Sequence, residues 1–210
     1  MNFKASLISI FRQLKQLQWP LKSPLPVQQT PMRAELLNTE QMKKHAIFLA
    51  KSHEIDRFNT HDHLLSRLDS NEHVLIDTNH LLANAIKSKQ TIAPSGEWLL
   101  DNFYLIEEQI RTARLHLPKG YSKELPRLAQ GNSSGLPRVY DIALNVISHG
   151  DGRVDAEIFA HFVEAYQSVT PLKLGELWAI PIMLRLALIE NLRRVSARIT
   201  ASRQYVNLAQ

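Results

Sequence analysis

Glycine and proline fall in a few clusters along this chain, and that spacing constrains the fold more than any other feature. Only seven Gly and ten Pro occur in 210 residues. Between the clusters, apolar residues recur at intervals of three and four, the period of a helix with one buried face. No run of strand length alternates polar and apolar, no glycine-rich phosphate loop occurs, and no unit of roughly 20–50 residues repeats. The expected fold is all-α: an antiparallel helical bundle with short connections and a separate short amphipathic helix at the N-terminus.

Three segments follow. Residues 1–19 place Phe3, Leu7, Ile10, Phe11, Leu14 and Leu17 at helical spacing beside Lys4, Arg12 and Lys15. This basic amphipathic helix ends at Trp19-Pro20, because the residue before proline is pushed out of the helical region. Residues 20–37 hold Pro20, Pro24, Pro26 and Pro31 and form an extended linker. Residues 38–210 form the helical domain. There Thr39 is the expected cap of a helix with Met42, Ala46, Leu49 and Ala50 inside. A second helix is expected from near Thr60 through Ile86, and a third is capped by Ser95 with Trp98, Leu99, Phe103, Ile106, Ile110 and Ala113 on its inner stripe. Gly131 to Gly135 read as a loop, Val139 to Ser148 as a helix, and Asp155 as the cap of the next. Pro171 introduces the last helix, Leu174 to about Tyr205, and Pro181 inside it should kink it.

The chain is long enough to bury a sizeable core. The absence of cysteine excludes disulfides, thiolate catalysis and zinc–thiolate sites and suits a reducing compartment. The formal net charge is +5, from 25 basic and 20 acidic side chains, and the excess sits at the two ends. The last helix carries Arg185, Arg193, Arg194, Arg198 and Arg203 against Glu176 and Glu190. Solvated helix faces are the plain reading; an anionic membrane surface touching residues 1–19 is the sharper one. The most apolar run, Leu177 to Ile189, is broken by Arg185 and is too short for a membrane span, so it reads as a buried core helix. Residues 5–11 are too short an apolar stretch for a signal peptide.

Motifs for chemistry are weak. His61-Asp62-His63, with His45 and Asp77 nominated as partners, could suggest a metal-dependent hydrolase of the helical His-Asp type, but two His at i, i+2 do not share a helix face. His53-Glu54 lacks the second His of a zinc helix. His149 to Asp155 resembles a calcium loop only superficially, lacking its carboxylate run and closing Glu. Glu107 and Glu108 stand at i+4 and i+3 spacing from Arg111, which predicts surface ion pairs rather than acid–base catalysis. Trp98 and Trp178 fall at core-like positions. Aromatics are not interleaved with a basic patch, which argues against nucleic acid. No catalytic, metal or cofactor-binding residue is expected. The candidate interaction surface is Arg138, Arg193, Arg194 and Arg198, with Arg138 also placed to bridge to an acid.

Several ordered strings are more specific. They are Glu97-Trp98-Leu99-Leu100-Asp101-Asn102-Phe103, Ile106-Glu107-Glu108-Gln109-Ile110-Arg111, Glu124-Leu125-Pro126-Arg127-Leu128 and Gly135-Leu136-Pro137-Arg138-Val139-Tyr140. Phe162-Val163-Glu164-Ala165-Tyr166-Gln167, Leu174-Gly175-Glu176-Leu177-Trp178-Ala179 and Leu188-Ile189-Glu190-Asn191-Leu192-Arg193-Arg194 follow. In this order and spacing the chain, over roughly residues 32–200, resembles the N-terminal region of the bacterial cyclic β-1,2-glucan synthases.

The resemblance implies a cytoplasmic helical region that precedes the membrane spans of a large inner-membrane protein. A UDP-glucose-dependent glucosyltransferase domain and a phosphorylase-like domain would follow it. The family builds a glucan primed on the protein itself and closes it to a ring. The expected role here is non-catalytic: scaffolding or regulating the synthesising domains, its partners in cis or as separate chains. No catalytic residue carries over, because the donor- and metal-holding motifs lie beyond the matched strings. A fragment, a truncated product and a stand-alone relative are all consistent with the sequence; a stand-alone adaptor and the His-Asp hydrolase are the alternatives. One departure has a physical consequence. Lys173 stands where the family pattern more often has Thr, which would form a capping box with Glu176, so the helix start should be weaker or its cap moved to Thr170.

Overall fold

The computed structural model describes residues 36–56, 63–117, 120–150 and 155–208, with side chains as far as Ala201. The expected helix at 1–19 and nearly all of the linker lie outside the described residues. The helical expectation is borne out. The elements are α1 (Thr39–Ser52), β1 (Ile55–Asp56), α2 (Leu64–Lys87), α3 (Pro94–Asp101), α4 (Phe103–His116), β2 (Arg127–Leu128), α5 (Arg138–His149), α6 (Ala156–Gln167) and α7 (Leu174–Leu208).

Helix starts follow local chemistry, with three corrections to the sequence reading. Asn38, not Thr39, caps α1: its side chain accepts from the Gln41 amide, and the Gln41 side chain accepts from the Asn38 amide. This is a reciprocal capping box. α3 starts one residue before Ser95, with Pro94 in the first turn, where the missing N–H removes nothing the helix needs. The helix expected to run through residue 113 is divided at Asn102. Its Nδ2 donates to the Trp98 carbonyl at 2.8 Å, the oxygen that its own backbone N–H also uses at 3.0 Å. A short polar side chain that can bond nearby backbone groups is common at such a helix end. The Asp155 cap is as expected and accepts from the amides of Glu157 and Ile158.

The core is continuous from α1 to α7. Along α7, Ala179, Ile180, Met183, Leu184, Ala187, Leu188 and Ile189 are all buried, as a helix that is apolar on every side requires. Each fully buried Leu, Ile or Met contributes roughly 1.5–3 kcal/mol. α7 runs without interruption across Pro181. No described helix is long and apolar enough to cross a membrane.

The two long helices depart from the antiparallel expectation. Arg67 meets Glu190 and Thr78 meets Thr200, so α2 and α7 run in the same direction. They are not sequence neighbours, and the short-connection rule does not bind them. A two-residue antiparallel ladder, Ile55 with Leu128 and Asp56 with Arg127, adds a strand pair that the periodicity did not show. The buried Arg127 secures it, donating to the carbonyls of Gly135 and Ser122 at 3.1 Å each. Gly135, at φ 77°, turns the chain back so that its amide donates to Leu128.

Candidate functional site

The first turn of α5 and the first turn of α7 build the most buried ion pair among the described residues. Arg138 opens α5 and reaches Glu176, with Nε on one carboxylate oxygen at 2.6 Å and Nη2 on the other at 2.7 Å. Their side chains are 5% and 0% exposed. The fork is bidentate, the strongest common geometry for such a pair. Nη2 also donates to the Pro171 carbonyl. Burial opposes the charge on Arg138, and the hydrogen bonds and charge of Glu176 more than offset it, so its proton is held more tightly than usual. Glu176 also accepts from the Lys173 amide at 2.8 Å. The carboxylate half of the capping box is therefore present; Lys173 does not supply the other half.

A second network joins α1 to α5 and α6. His53 Nε2 lies 3.1 Å from Asp141 Oδ2 and Nδ1 lies 2.8 Å from the Tyr166 hydroxyl. In the tautomer that donates from Nε2 to the carboxylate, Nδ1 accepts a hydrogen bond from the Tyr166 hydroxyl. Asp141 also receives the Ser133 hydroxyl in a short contact and Asn145 Nδ2 at 2.9 Å. His45 Nε2 in turn meets Asn145 Oδ1 at 3.0 Å, and its ring packs edge-on against His149, centroids 4.4 Å apart. The Arg138 guanidinium carbon sits 6.0 Å from the Tyr166 ring centroid, which links this network to the first pair. Ser, His and Asp thus meet, but the hydroxyl donates to Asp141 and both imidazole nitrogens are engaged elsewhere. Nucleophile activation needs the hydroxyl on the imidazole, whereas here Ser133 gives its hydroxyl to Asp141.

The third cluster surrounds Glu190 in the middle of α7. Its Oε1 accepts from Arg67 Nη2 at 3.0 Å, Arg194 Nε at 3.1 Å and Arg193 Nη2 at 3.2 Å. Oε2 accepts from Arg67 Nε at 3.1 Å and Asn71 Nδ2 at 3.0 Å. Glu190 is 1% exposed, while Arg67, Arg193 and Arg194 are 37%, 20% and 29% exposed. Burial raises the Glu190 carboxyl, but Arg67, the Asn71 amide, Arg193 and Arg194 together pull it below the usual carboxylate range. The adjacent Tyr140 hydroxyl is pushed up to about 12, first by burial and then by the Glu190 charge, against the opposing pull of Arg67.

Of the residues nominated from sequence as an interaction surface, Arg138 is interior and committed to Glu176, which corrects its placement and matches the expected bridge to an acid. Arg193 and Arg194 are half-buried on Glu190, and Arg198 is half-buried one turn beyond Arg194. His61 and Asp62 lie outside the described residues, as does most of the loop from His149 to Asp155. His45 is drawn to Asn145, and Asp77 is an exposed partner of His73. Among the described residues no three His, Asp or Glu are grouped to hold a metal. Arg111 forms no ion pair with Glu107 or Glu108; Arg114 instead crosses to Asp69 and Glu72 on α2. Trp98 is partly buried against the core, but Trp178 is 70% exposed. The inward side of that turn is taken by Glu176, Ala179 and Ile180, and residue 178 projects away from it.

The buried Glu176, Glu190 and Asn71, and their half-buried partner Arg67, were not nominated. A usable signal was present: the two glutamates bound the apolar run of a helix already expected to be buried on all sides.

No family model matches the chain. Over 138 residues, 66% of the chain, it is 36% identical to the cyclic beta-(1,2)-glucan synthase NdvB of Rhizobium meliloti (strain 1021). The chain is a relative of the cyclic β-(1,2)-glucan synthases. The resemblance carried by the ordered strings is thus borne out. The match amounts to 5% of NdvB, so the chain spans a small part of that glucan synthase's length.

Proposed function

We propose that the chain is a non-catalytic helical region of a cyclic β-1,2-glucan synthase-like membrane glucosyltransferase, where it scaffolds or regulates the glucan-synthesising domains. The observation that carries this reading is the 36% identity to NdvB over a stretch that is 5% of that protein. The internal chemistry supports it. Ser133, His53 and Asp141 are occupied with one another and with Tyr166 and Asn145, and Arg138 and Glu176 are matched charge for charge. Such networks fix helix positions. In this reading the partners are the remaining domains of the synthase, in cis or as a separate chain, at the cytoplasmic face of the inner membrane.

The test is deletion of the matching region from NdvB, with cyclic glucan, protein level and UDP-glucose binding measured together. The expected result is loss of most glucan with donor binding retained. Unchanged glucan at unchanged protein level overturns the proposal.

A stand-alone adaptor is the second reading. It is favoured by Leu174 and Trp178, exposed one turn apart on α7. Adding the 210-residue chain in trans to the deleted synthase separates the two: rescue supports an adaptor, and rescue only in cis supports an integral region.

A further inference from the structure

We infer that the arginine cluster on Glu190 is a receptor for a phosphate group, with Arg67 and Arg194 as its principal ligands on the α2–α7 face. This goes beyond the scaffold reading and does not depend on it.

Charge comes first. Arg67 and Arg194 share one carboxylate, so the pair alone leaves a surplus positive charge, and Arg193 lies against the same oxygen. Nearby acids are turned elsewhere. Asp69 and Glu72 on α2 face Arg114 of α4, and Asp77 faces His73. Residues 191–210 contain no Asp or Glu.

Geometry narrows the ligand. Three guanidinium nitrogens converge on the single atom Oε1 at 3.0–3.2 Å. Those donors are committed to the carboxylate, so a further anion meets only what they leave over, chiefly the two terminal nitrogens of Arg194; so few donors suit one compact anion rather than an extended acidic peptide. Glu190 already accepts five hydrogen bonds and has no capacity for more. Arg194 gives it only Nε, and its two terminal nitrogens remain on a side chain that reaches solvent. A guanidinium fork of this kind matches phosphate oxygens in distance and plane. The buried glutamate holds the arginines in place beforehand, which lowers the ordering cost of binding.

The experiment is thermal unfolding of the 210-residue protein titrated with inorganic phosphate and then diphosphate, with sodium chloride adjusted to keep ionic strength constant. A saturable rise in Tm of roughly 3–6 °C is expected. Arg194→Gln should fold and bind about tenfold or more weakly, while Arg111→Gln on exposed α4 should bind normally. If Arg194→Gln does not fold, Arg194→Lys, which keeps the charge but loses the fork, serves in its place and should also weaken binding. A rise equal in the Arg194 variant overturns the inference. Flotation with phosphatidic acid vesicles, compared with phosphatidylcholine vesicles, distinguishes the source. Binding to the former that Arg194→Gln weakens, without a response to soluble phosphates, assigns the same site to a lipid headgroup; binding that the variant leaves unchanged, or no response in either arm, overturns the inference.

Discussion

Glu176 and Glu190 bound the same apolar stretch of α7, and both are buried, yet their surroundings differ. Glu176 meets one equally buried arginine in a bidentate pair and also receives the Lys173 amide. Glu190 meets three arginines that each reach solvent, together with Asn71. The first is balanced in charge and closed; the second is overloaded with positive charge and open on one side. Burial of a carboxylate thus does not by itself reveal its use. The exposure and number of its partners separate a clamp from a surface that can take another ion.

That contrast should appear first in stability. Glu176→Gln leaves Arg138 buried without its counter-charge, and urea unfolding should show a loss of about 3–5 kcal/mol. Glu190→Gln should cost less, roughly 1–3 kcal/mol, because its arginines can turn to water. Equal losses at the two positions would erase the distinction.

The pH dependence sharpens it. Glu190 is held below the usual carboxylate range in the folded protein. Its contribution is then fully present above the ordinary unfolded value and is lost as pH falls through the lowered folded value. Unfolding free energy measured from pH 6 down to pH 3 (about the carboxylate range) should fall less steeply in Glu190→Gln than in the parent.

Smaller effects are expected at the edges of the comparison. Lys173→Thr completes the capping box whose glutamate half is already formed, and should stabilise the protein by about 0.5–1 kcal/mol. The exposed Glu107→Gln change should alter stability by less than about 0.5 kcal/mol, since no ion pair forms there.

Much of this architecture was legible before the structure. Helical stripes such as Phe159, Phe162, Val163 and Tyr166 became buried faces, and Asp155 became the cap its spacing indicated. Those features depend on residues within a few positions of each other. What was hidden depends on distance along the chain. Arg138 finds Glu176 38 residues away and Arg67 finds Glu190 123 residues away, and no periodicity encodes such partners. Trp178 was misplaced for a related reason. Its position is helical and apolar in context, but which side of α7 faces the core is set by what packs there. A break at Asn102 divides a helix that the apolar stripe alone carried through, and there the Asn102 side chain shares the Trp98 carbonyl with its own backbone N–H.

The most direct test of the account replaces the matching region of NdvB with residues 38–210 of this chain and measures cyclic glucan per molecule of synthase in the membrane. The account predicts that the chimera restores synthesis well above the deletion, and that Glu176→Gln in the chimera lowers it together with the protein level. A chimera present at normal level that makes no more glucan than the deletion contradicts the claim that this helical region does the supporting work of its relative.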